Sequence, residues 1–135
     1  MIHLPPVLEL SFIGVEEPGV PGRERLVFRP SEPVNLGRFG ILLGFVNPDG
    51  SKHLLTDHFF WFGVGEVAPP SWIIVFTAEG EDFCGDWKGQ KVHTFHWGKK
   101  HTLFHRNDVL PILFKNAAIL TGGLNAPPQS KQITQ

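Results

Sequence analysis

Four of the seven histidines, His93, His96, His101 and His105, fall within residues 91–106, among aromatic and β-branched residues around Gly98, Lys99 and Lys100. Imidazoles that share one sheet face can ligate zinc, copper, iron or nickel, and a carboxylate such as Asp57 or Asp82 can complete a site with one position open for water. The pattern predicts a β-hairpin over 91–106 in one of two registers. A two-residue turn at Gly98-Lys99 sets His96 opposite His101, with His105 further along the same face. A three-residue turn over 98–100 pairs Trp97 with His101 and His93 with His105. Either register brings two imidazoles together, so a divalent transition metal on His93, His96, His101 and His105 is one chemistry the chain suggests.

The spacing is also what ordinary cross-strand packing beside Phe95 and Trp97 produces. His93 and His96 are three apart and point to opposite faces of a regular strand. His101 and His105 have the spacing of a helical zinc motif without its glutamate. Other enzyme signatures are missing. Cys84 sits among acids that oppose thiolate formation. Glu79, Glu81, Asp82 and Asp86 match no calcium loop. No serine lies in a nucleophile elbow, and the glycines form neither a phosphate loop nor a dinucleotide fingerprint. The sequence leans towards a non-catalytic binding or assembly module, with a small metal-dependent enzyme or metal-binding protein as the alternative.

Charge narrows the partners. The formal net charge is −1, which gives the chain as a whole no electrostatic reason to seek nucleic acid or an anionic membrane. Locally the balance is uneven. Residues 49–86 hold seven acids and one base, whereas 87–106 hold five bases, the four histidines and no acid. The basic block, with Lys99 and Lys100 at its turn, suits a small anionic ligand or the acidic block of another copy. Side by side within one fold, the two blocks would instead largely cancel.

Twelve phenylalanines and four tryptophans must also be placed. A domain of this size has a high ratio of surface to volume, so some large rings are left at an interface or in a pocket. Trp61, Phe59 and Trp97 are the candidate anchors, and a homo-oligomer is the expected state. Exposed indoles also suit a sugar or another small molecule, a third reading.

The elements that position these residues are strands. Fifteen glycines and twelve prolines divide the chain into short pieces rich in Val, Ile, Phe and Trp. Residues 7–15 alternate apolar and polar, 25–29 make a second short strand, and 34–46 a longer run whose glycines suggest bulges or close backbone approach. Residues 47–51 carry Asn-Pro and Asp-Gly turn signals. The aromatic run 58–62 has both faces to cover, 72–78 reads as a buried strand, and 79–89 as an acidic loop. Residues 108–120 fit either a helix capped by Asn107 or two short strands.

The expected architecture is a mainly antiparallel β-sandwich or partly closed β-barrel of seven to nine strands, with at most one short helix near the C-terminus. One domain over 1–124 would carry a polar arm, 125–135. A single cysteine excludes an internal disulfide, and nothing resembles a signal peptide or the roughly 20 apolar residues of a membrane helix, so a cytoplasmic location is expected.

Overall fold

A computed structural model describes residues 6–63 and 65–116. The expected arm, 125–135, and the last residues of 108–120 lie outside that range. The described chain is mainly β, in a sandwich-like arrangement that closes into no barrel. Ten strands alternate with turns: β1 Leu10–Glu16, β2 Arg25–Pro30, β3 Val34–Asn35, β4 Phe39–Val46, β5 Lys52–Trp61, β6 Glu66–Val67, β7 Ser71–Phe76, β8 Phe83–Trp87, β9 Gln90–His96 and β10 Val109–Lys115. A five-stranded sheet runs β1-β2-β7-β9-β8, a three-stranded sheet runs β10-β4-β5, and β3 pairs with β6. All pairings are antiparallel except β7 with β9.

The core lies between the two larger sheets because alternation gives each an apolar inner face. Leu26 and Phe28 of β2 and Ile73 and Val75 of β7 face Phe39, Ile41 and Leu43 of β4. Aromatic edges join the layers: Phe62 meets Phe28 at 6.0 Å and Phe95 at 5.4 Å, both nearly perpendicular. Such edge-to-face pairs add to the burial of the rings themselves. The 47–51 segment turns β4 into β5 as its residues suggest, with Asn47 N–H donating to the Ser51 carbonyl at 2.7 Å.

Three expectations change. The described residues hold ten strands rather than seven to nine, because the two-residue β3 and β6 pair with each other. Residues 79–89 are not a loop: β8 and β9 form a hairpin whose turn residues, Lys88 and Gly89, both have positive φ, 52° and 80°. That is the geometry of a type I′ turn, which suits the twist of paired strands. The hairpin expected over 91–106 does not form, because after β9 there is no strand until β10. Its chain is claimed elsewhere. Trp97 and Lys99 donate their amides to Phe76 and Thr77, while Glu24 captures the amides of Leu103 and Phe104 at 2.7 and 2.9 Å. Residues 109–115 resolve as a strand, and Pro111 is tolerated because β10 pairs on one side only.

Candidate functional site

The four candidate metal ligands are dispersed. His93, opposite Ile73 and Cys84 in the register, lies on the inner side of β9. Burial, with the charge of Lys91 adding to it, holds its imidazole below the usual histidine value. His96 faces outward, stacked on Phe76 at 5.4 Å, and Asp82 accepts its backbone amide at 2.8 Å. His101 and His105 lie in the loop beyond. Among the described residues, no three His, Cys, Asp or Glu side chains converge as a metal site requires. The acidic and basic blocks are partly neighbours, since Asp86 lies opposite Lys91 and Asp82 beside His96.

The loop after β9 borders a cavity of about 440 Å³ lined by Thr77, Lys99, Lys100, His101, Thr102 and His105. The Lys99 ammonium is turned away to His58 Nδ1, 2.9 Å distant. His105 Nδ1 lies 3.0 Å from the Thr102 carbonyl, which leaves Nε2 as its outward nitrogen. Lys100 and His101 are exposed. The lining residue Thr77 is bonded to Glu24, which is 1% exposed and not singled out by its place in the sequence. Its carboxylate accepts hydrogen bonds from the amides of Gly19, Leu103 and Phe104 and from the Thr77 hydroxyl. A buried carboxylate is tolerated only when its lone pairs are filled in this way. Glu24 thereby ties the β1–β2 loop, the end of β7 and the 102–105 segment into one joint.

Of the proposed anchors, Trp97 packs towards the core, 5.7 Å from Phe60. Phe59 and Trp61 do share a surface. On β5 they alternate with the inward Phe60, and they stand 48% and 45% exposed. The register brings Trp61 opposite Gly40 and Phe59 opposite Leu42, while β10 adds Leu110, Ile112 and Phe114 opposite Gly44, Leu42 and Gly40. The outer face of the three-stranded sheet is therefore apolar along β10 and β4 and at Leu54, Phe59 and Trp61 of β5. The exposed Asp57 lies in the irregular stretch between Leu54 and Phe59 and belongs to no metal-ligand cluster among the described residues. Its glycines are needed for that packing: a Cβ on Gly40 would come within 2.7 Å of the Phe114 ring and 3.0 Å of Phe59. The Trp61 indole N–H donates to the Gly37 carbonyl at 2.9 Å, so its polar edge is satisfied and its apolar faces remain available.

The fold and these surfaces define a mainly β, sandwich-like protein with an apolar outer sheet face. Comparison with family models, curated proteins and solved structures finds no match. Among the described residues, no helix is long and apolar enough to cross a membrane.

Proposed function

We propose that this protein is a non-catalytic assembly module whose copies associate through the outer face of β10-β4-β5. The observation that carries the reading is the apolar surface of Leu42, Leu54, Phe59, Trp61, Ile112 and Phe114, with Phe59 and Trp61 about half exposed. Contiguous apolar patches of this kind mark interaction sites on soluble proteins. A second copy is the favoured occupant because the centre of the face carries no charge for a charged partner to match. Two such faces related by a twofold axis are complementary through burial alone. Large aromatic anchors carry much of the energy of an interface, and Phe59 and Trp61 are the most exposed rings of this face.

Light scattering after size exclusion tests this. The chain is expected to run as a dimer or larger, and Phe59→Lys to run as a monomer with unchanged near-ultraviolet circular dichroism. A wild-type monomer at high micromolar concentration would reject the reading.

The basic cavity supports a second reading, binding of a small anion by Lys100, His101 and His105. Phosphate should then bind saturably, with an affinity that falls as ionic strength rises and falls further in Lys100→Met. Equal affinity in the wild type and Lys100→Met would discard it.

A further inference from the structure

The outer face of the five-stranded sheet carries a differently shaped apolar region, a trough of about 480 Å³ over β7, β9 and β8. Its floor follows from register. Val27, Ile74, Thr94 and Phe83 make one row across four strands, and Trp72, Val92 and Gly85 make the next. Gly85 leaves an opening between the rings of Phe83 and Trp87, which are 61% and 53% exposed. Trp72, Trp87 and Phe76 are held in place. Arg29 lies 4.0 Å over Trp72, Trp72 meets Trp87 edge-on at 5.9 Å, and Phe76 is stacked on His96.

Polar groups in the trough are few, and most are committed. Arg25 pairs with Glu16 at 2.9 Å. Gln90 Oε1 accepts from both the Trp72 indole and Arg29. Asp86 also borders the trough, but by alternation its side chain leaves β8 on the other side, opposite Lys91. Thr94 is the exception: it is 3% exposed, it lines the trough, and its hydroxyl has no hydrogen-bond partner among the described residues.

We propose that the trough binds a small planar aromatic molecule bearing one hydroxyl or amino group, with the ring between Phe83 and Trp87 and the polar substituent on Thr94 Oγ1. The volume falls within the roughly 300–1,000 Å³ of small-molecule sites, which combine apolar walls with a few placed polar groups. A sugar fits less well. Each buried ring hydroxyl without a partner is costly, and one threonine cannot satisfy several. The Trp72–Trp87 wall, braced before binding, loses little freedom when the ligand arrives.

The test is a titration of isotope-labelled full chain with 2-naphthol and with naphthalene, followed by amide and indole chemical shifts. Saturable shifts on β7, β8 and β9 are expected, with 2-naphthol bound about fivefold more tightly, the order of one net hydrogen bond. Thr94→Val keeps the side-chain shape and should remove that preference. Gly85→Leu should abolish binding of both probes with the fold intact, because a Cβ there meets nothing closer than 3.8 Å. Absence of saturable shifts on these strands, equal affinities in the wild type, or an unchanged preference in Thr94→Val would overturn the proposal. It would equally fail if Trp87→Glu, rather than Phe59→Lys, converted an oligomer to monomer, since a second copy would then be the occupant.

Discussion

The two outer sheet faces are both apolar and yet built for different occupants. On β10-β4-β5, Gly40 lets the Phe114 and Phe59 rings lie over the backbone and Gly44 does the same for Ile112 and Leu110, and the central strand presents no polar side chain between them. On the five-stranded sheet, Gly85 opens a gap at the edge, Arg29 braces an indole from behind, and one hydroxyl waits on the floor. Hydrophobicity alone therefore does not specify the partner. The placement of glycine relative to the rings decides whether a face offers a broad surface or a slot.

Removing the joint between the faces should produce the largest effect. Glu24→Leu deletes the acceptor for the amides of Gly19, Leu103 and Phe104 and for the Thr77 hydroxyl. Each buried donor left alone costs about 1–3 kcal/mol, so a loss on the order of 4 kcal/mol or more is expected in urea unfolding. Both faces should lose their order together. A loss below about 1 kcal/mol would mean that solvent replaces the carboxylate and that the joint is not a structural clamp.

The next effect separates the faces. Phe59→Lys should weaken self-association by about 2 kcal/mol or more, roughly thirtyfold in dissociation constant, as loss of a central aromatic anchor does. Sedimentation equilibrium would measure it, and naphthol binding at the trough should be unchanged. If both properties fall together, the faces are coupled and the distinction between them fails.

A smaller effect probes the packing of the flat face. Gly40→Ala should destabilise by about 1–3 kcal/mol, the range for overpacking, because the Phe114 and Phe59 rings must move. An unchanged denaturation midpoint would show that the rings swing away freely, so that the surface is not rigid.

How much of this was legible in the residues depends on range. Alternation over 7–15, the apolar run over 72–78 and the turn at 47–51 led correctly to strands and a reversal, because those signals are local. The apolar character of both parities in Trp72, Ile73, Ile74, Val75 and Phe76 carried the sign of a sheet with two apolar faces, and the period-two series Phe83, Gly85, Trp87 carried the sign of a slot. Reading 79–89 as an acidic loop obscured the second. The 91–106 hairpin failed for a non-local reason. Its own turn signals were sound, but Glu24, far away in the chain, takes the amides that a strand after Gly98 would have used. Residues 108–120 stayed ambiguous until pairing with β4 supplied the partner that a strand needs.

The smallest expected effect concerns the inner side of β9, where His93 contrasts with the outward His96 on the same strand. Burial first, and Lys91 second, hold the His93 imidazole below its ordinary value, so the folded state resists its protonation. In the unfolded chain the same group takes up a proton near pH 6.5. Between that value and the lower folded one, the unfolded state binds more protons, and stability therefore falls as pH is lowered through about 6.5. The fall levels off once the folded protein is protonated too. His93→Leu keeps an apolar side chain opposite Ile73 and removes the titration, so its urea midpoint should drop less than that of the wild type between pH 7.5 and pH 5.5. Equal drops in the two proteins would place the acid sensitivity on other groups. A steeper drop in His93→Leu would mean that the charged imidazole stabilises β9 against the β8 edge, the reverse of the sign argued from its burial.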